Sequence, residues 1–262
     1  GGPPRGLKTV LVIGWAVASY VALVYYADAW WKVVPASISL ALAVAGIGFN
    51  VQHDGGHGSF DRSRWLNRAT AWTLDLIGGS SYVWRYKHNL LHHHNTNVEG
   101  IDDDLHSEPF LRMAPGQKRR WYHRFQHLYI WVLYGFLPPK WQWWDDFRNV
   151  LKGKIGDHPI PRPRRFELAW LLLGKALFAG WVFVLPLVLH PVLNVLIVYA
   201  FVCLVTGITL GTVFQMAHCV EEARFEPAPA TGTKLPRPWA EHQLATTVDF
   251  APRNPILTWY LG

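Results

Sequence analysis

Residues 9–27, TVLVIGWAVASYVALVYYA, carry no charge, and neither do residues 33–52, VVPASISLALAVAGIGFNVQ. A helix rising about 1.5 Å per residue needs ~20 such residues to cross the hydrocarbon of a bilayer. Each run therefore predicts a membrane-spanning helix. The short connection that holds Asp28, Trp30, Trp31, Lys32 and Pro35 makes the two a hairpin. A second hairpin is expected from residues 168–189, apolar except for Lys175, and 192–216, with the break at His190-Pro191. Lys175 is two turns into its run and is expected to snorkel toward the nearer surface.

Composition agrees. Half of the 262 residues are hydrophobic, 15% are aromatic and 16% are charged, against roughly 25% charged in soluble domains. The same figures exclude disorder, collagen and a disulfide-stapled secreted scaffold. The two cysteines, Cys203 and Cys219, stand too far apart along one helix to pair.

Between the hairpins, residues 53–165 are wetter, with two short apolar islands at 69–83 and 129–137 that read as interfacial or re-entrant helices. This stretch holds 17 of the 25 Lys and Arg, whereas the connections inside the hairpins hold only Lys32. By the positive-inside rule both termini, the central stretch and the polar tail at 221–234 are cytoplasmic. The net charge of +7 is thus a topology signal, and nucleic-acid binding is set aside. Lys118-Arg119-Arg120 and Arg162, Arg164 and Arg165 read as juxtamembrane basic residues rather than a phosphate site. The fold class expected is an all-α membrane protein, with four transmembrane helices in two hairpins, interfacial helices and a cytoplasmic His-rich region.

That region carries the chemistry. Of 13 histidines, His53 and His57 stand at the end of the second span, His88, His92, His93 and His94 form His-Asn-Leu-Leu-His-His-His, and His218 ends the fourth span. All emerge at one membrane face. On an α-helix, positions four apart share a face, so His53 with His57 and His88 with His92 can each present two imidazoles to one metal. His93, turned by about 100° from His92, reaches toward a neighbouring metal, and His94 is expected to miss. Gly55 and Gly56 predict either a close backbone approach or a helix break. All-imidazole sets suit Fe, Cu, Zn or Ni. No Glu-x-x-His, His-Glu-x-x-His, Gly-x-Ser-x-Gly or Walker loop is present, which removes the carboxylate-bridged bundle, zincin, serine-hydrolase and nucleotide readings.

These motifs resemble the membrane fatty acid desaturases. The likeness rests on His-Asp-Gly-Gly-His at 53–57 and on the second histidine group with Thr96-Asn97 and Asp102 to Asp104. It extends to Phe-Gln-Met-Ala-His at 214–218, Trp239 and His-Gln-Leu-Ala-Thr-Thr at 242–247. The nearest branch is the acyl-CoA and acyl-lipid one that contains the linoleoyl-CoA, or front-end, enzymes. The resemblance implies two non-haem iron ions and dioxygen, which together desaturate an acyl chain held in an apolar tunnel. It implies His53, His57, His88, His92, His93 and His218 as ligands. Asp54, Asn89, Gln215 and His242 are the polar neighbours expected to support them: Asn89 and Gln215 by holding a metal-bound water or by packing, His242 by orienting a ligand or structurally. Of Asp102, Asp103 and Asp104, at least two are expected to form a solvated loop.

No dinucleotide fingerprint, iron–sulfur cysteines or fused cytochrome is present, so electrons come from a ferredoxin or b-type cytochrome with its reductase, docked on the basic stretch. The family's third box, ending in His-His, is absent. The chain therefore reads as one desaturase domain, 1–262, cut short before that box, lacking its natural start and inactive alone. The rivals are a hydroxylase or ketolase on the same scaffold, a membrane zinc hydrolase, and a non-catalytic relative.

Overall fold

A computed structural model describes residues 5–229 and 237–261; residues 230–236, the end of the tail read at 221–234, lie outside the described residues. Four helices are long and apolar enough to cross a membrane: Gly6–Tyr26, Trp30–Gly56, Arg165–Leu189 and Val192–His218. They are the four expected, each a few residues longer than its apolar run, because polar residues at one end or both continue the helix beyond the hydrocarbon. The protein is an integral membrane protein. Among the described residues the one strand pair is Lys154–Ile155 against His158–Pro159, a short antiparallel hairpin.

The second span is the centre of the bundle and touches both the first and the fourth. Its buried face is built from small residues, Ser37, Ala41, Ala43, Ala45 and Gly46, which let neighbouring helices approach closely. Val12 and Ala16 of the first span pack on Ala43, Ile47 and Val51; Leu210 of the fourth packs on Ala45 and Phe49. The outward faces are apolar and exposed, as at Val10, Val17, Val188 and Leu193, and face lipid.

The hairpins are joined at the end remote from the histidines. Tyr20 donates to the Trp181 carbonyl, and the His190 ring bonds the Val24 carbonyl at 2.7 Å. At the other end, the helix Gln126–Tyr134, from the second apolar island, leans on the fourth span where Gly207 and Gly211 leave room. A Cβ at Gly207 would overlap the Tyr134 carbonyl.

Lys175 does not snorkel. It is 5% exposed, and its ammonium donates to the carbonyls of Gly78 (2.7 Å), Gln142 (2.8 Å) and Trp141 (3.2 Å) while pairing with Asp146 at 2.6 Å. The central stretch folds back over the third span and supplies all four partners, so the charge is solvated by protein instead of by water.

Candidate metal centre

The first pair of imidazoles is set by a local change of winding. Residues Ile47–Gln52 form a π-helical turn, with the His53 amide bonded to the Gly48 carbonyl five residues back. A single α-turn, His53–Gly56, follows, and the His57 amide bonds the His53 carbonyl at 3.0 Å. The two rings lie 4.5 Å apart. Gly55 and Gly56 serve close approach. A Cβ on Gly55 would overlap Thr70 and Ala71 of the helix Arg64–Ala71, and one on Gly56 would overlap the Trp84 indole.

The second group departs from the spacing argument. Residues Arg85–His92 are wound as a π-helix, and the His93 amide bonds the His88 carbonyl. Five residues, not four, now complete the turn. His88 therefore faces His93, their Nε2 atoms 3.0 Å apart, while its ring still stacks 5.4 Å from that of His92, so the α-helical winding assumed for this segment is corrected but not the pairing of His88 with His92. One donor atom from each of His53, His57, His88 and His93 lies within 4.8 Å of the others. A second group joins His88, His92 and Asp104 within the same limit, and the His218 ring lies 4.9 Å from that of His92. His94 turns away, its Nδ1 on the Asn89 carbonyl, as expected.

Burial first, and then the neighbouring imidazoles, lower the pKa of His57 to about 4 and of His93 to about 3, and push His88 down as well. At neutral pH these rings keep their lone pairs, which is the form that binds metal. His92 behaves differently. Burial opposes its protonation, but the carboxylates of Asp102 and Asp104 outweigh it and raise its pKa. Both Asp102 oxygens stand 3.1 Å from His92 Nδ1, and Asp102 is itself fixed by the backbone amides of Asn97 and Asp104. Such a clamp orients the ring and leaves Nε2 for a metal.

Of the acidic run only Asp102 leaves solvent; Asp103 is partly exposed and Asp104 exposed, in line with the expectation for two of the three. Asp102 is buried, Lys87 pairs with Asp103 at 3.0 Å and Asp104 at 3.3 Å, and Asp103 also meets His106 at 3.5 Å. The remaining expected supports are structural. Asp54 lies beside His53 at 3.9 Å, Asn89 donates to the Gly56 carbonyl at 2.8 Å and so ties the two histidine groups together, and Gln215 donates to the Met113 sulfur. His242 is fully buried and bonds the Thr96 carbonyl at 2.9 Å. Its helix, Trp239–Thr246, also closes over the second group: Trp239 and Gln243 both donate to the His93 carbonyl.

Two residues that the spacing argument passed over matter as much. Asn97, at positive φ and fully buried, donates to the carbonyls of His218 (2.7 Å) and Arg224 (3.1 Å), which joins the second group to the end of the fourth span. Its signal was its place beside Thr96 in the motif. Trp84 stacks on His88 at 4.3 Å, for which the sequence offered no signal.

From His53, Trp84 and His88 an apolar tunnel runs between the spans to Tyr20, His190 and Asn194. Along the fourth span its lining extends from Phe214 to Asn194, about 30 Å of helix at 1.5 Å per residue.

Comparison with known proteins decides the family. The fatty acid desaturase family model matches residues 28–262. The chain belongs to the fatty acid desaturase family. It is 37% identical over 262 residues to an sn-1 linoleoyl-lipid 6-desaturase of Arthrospira platensis, covering 99% of this chain and 70% of that protein. It is also 37% identical to the protein of that name from Synechocystis sp. (99% and 73%) and 38% identical to an acyl-lipid (8-3)-desaturase of Physcomitrium patens (99% and 54%). The resemblance read from the histidine motifs is thereby borne out. The histidine-lined end of the tunnel is where this desaturase would carry its chemistry, and Gly56 is the residue that lets the two histidine groups meet there. Gly56→Ala is expected to push Trp84 off His88, costing about 1–3 kcal/mol of stability and at least tenfold in activity. Gly14→Ala, where a Cβ meets nothing within 4 Å, is expected to change neither. Thermal unfolding in detergent and product yield check both.

Proposed function

We propose that this desaturase introduces a double bond into the acyl chain of a lipid, using dioxygen and two iron ions held by its histidines. The convergence of six imidazoles at one end of an apolar, membrane-long tunnel carries the reading. The donor set fits iron: imidazoles, one of them clamped by a carboxylate. His53, His57, His88 and His93 hold one ion, and His92 and His218 contribute to the other. Asp104, already paired with Lys87, balances charge beside the second. Bound iron supplies the oxidising power to remove two hydrogens from an unactivated chain. The protein's own part is positional: the tunnel walls keep the chain extended and exclude water from the reacting carbons.

An acyl-lipid substrate of the linoleoyl type follows from the relatives' names. The basic central stretch supports a cytoplasmic placement of the histidine end and both termini. A ferredoxin or b-type cytochrome with its reductase, docked on that stretch, delivers the electrons. The test is the fatty-acid profile, by gas chromatography and mass spectrometry, of a linoleate-rich host expressing the chain, with His92→Ala as control. A new double bond near the ester end, lost in the control, is expected together with bound iron. A hydroxylated product, or zinc in place of iron, would overturn the reading.

A further inference from the structure

Gln52 ends the π-helical turn of the second span, immediately before His53, and lines the tunnel where it meets His53, Trp84 and His88. The residue is 4% exposed, and its amide nitrogen finds no acceptor among the described residues. A buried donor without a partner is a standing cost to the fold, which a leucine at the same position would avoid. Such a donor in a mostly apolar wall marks the place where a ligand brings the acceptor.

We propose that Gln52 donates to the acyl carbonyl of the substrate and so sets how far from that carbonyl the double bond is placed. The inference rests on an acyl chain occupying the tunnel. Two features support it. The tunnel leaves its long reach, toward His190 and Asn194, for the methyl end of the chain. The carbonyl must then lie at the histidine end. Where the double bond is counted from the ester, as the name 6-desaturase states for the relatives, only a few carbon–carbon bonds separate the carbonyl from the reacting carbons. The donor must therefore stand beside the histidines, as Gln52 does. Trp141 carries the other orphaned buried donor of the tunnel lining among the described residues; it packs against Phe49 and Leu210, whereas Gln52 directly precedes His53.

The carbonyl reaches the protein as an oxygen ester or as a thioester, and paired probes separate the two. They are 1-linoleoyl-lysophosphatidylglycerol against its 1-O-linoleyl ether, and linoleoyl-CoA against its S-alkyl thioether. Binding is read from the thermal shift of the purified chain in detergent. In the wild type the carbonyl member of at least one pair is expected to bind about five- to tenfold tighter than its reduced partner. The pair that discriminates names the carrier. Gln52→Leu, or Gln52→Met if the first does not fold, is expected to erase the difference while still binding both members, and Trp141→Phe to keep it. Expressed in the host, Gln52→Leu is expected to scatter the double bond over neighbouring positions. The proposal falls if no pair differs in the wild type, or if the difference survives in Gln52→Leu. A wild type that binds linoleoyl probes but makes no double bond would overturn the desaturase reading and not this one.

Discussion

Replacing His88 with alanine is expected to remove most of the bound iron and to lower desaturation by at least about 100-fold, more than any other single histidine change. Among the described residues His88 is the one side chain that stands in both groups of donor atoms, with His53, His57 and His93 on one side and with His92 and Asp104 on the other. Its Nε2 lies 3.0 Å from that of His93, and its ring is held flat against Trp84. Losing it opens both halves of the centre. His94→Ala is the matched control. That ring belongs to the same run of histidines but is exposed and turned to the Asn89 carbonyl, so iron content and product yield should stay at the wild-type level. Iron per chain by mass spectrometry, with product yield, decides the matter. Wild-type iron in His88→Ala would show that the two groups do not share it.

The largest effect on stability is expected at Lys175. Lys175→Ala leaves the Asp146 carboxylate buried without its partner and withdraws the donor from three carbonyls, a loss of about 3–5 kcal/mol. Burial raises the Asp146 pKa to about 6 while the neighbouring Lys175 pulls it back, so at neutral pH the carboxylate that loses its partner is ionised. Lys175→Met combined with Asp146→Leu is expected to recover part of the loss, because no charge then remains buried. The carbonyls of Gly78 and Gln142 still go without a donor, so the recovery is incomplete. Unfolding in detergent measures both variants. A Lys175→Ala protein as stable as the wild type would return Lys175 to the surface role that its place near a span end suggested.

The membrane spans were legible because the bilayer reads composition locally. Twenty uncharged residues commit a segment to the hydrocarbon whatever lies elsewhere in the chain, and residues 9–27 and 33–52 did so unaided. The histidine motifs were legible for a similar reason, since ligand residues cluster on single turns at the ends of those spans. The alternation of charge around them gave the side of the membrane on which they are expected.

Tertiary structure decided what depends on winding and on partners far along the chain. The switch from four to five residues per turn at Arg85–His92 added His93 to His92 as a partner of His88, and no spacing rule for an α-helix contains that switch. Which of Asp102, Asp103 and Asp104 leaves solvent is open in the sequence until the Asp102 carboxylate is seen on His92, ten residues away, with Asn97 closing the loop behind it. Lys175 reads as a cation near a surface until Gly78, Gln142 and Asp146, between 29 and 97 residues distant, close around it. Gln52 is one more polar residue at the end of a span until the tunnel leaves its amide nitrogen without an acceptor. Hydrophobic transfer is set by each residue's own side chain and adds up along the sequence. The burial of a charge or an amide is decided by which groups the fold brings to meet it.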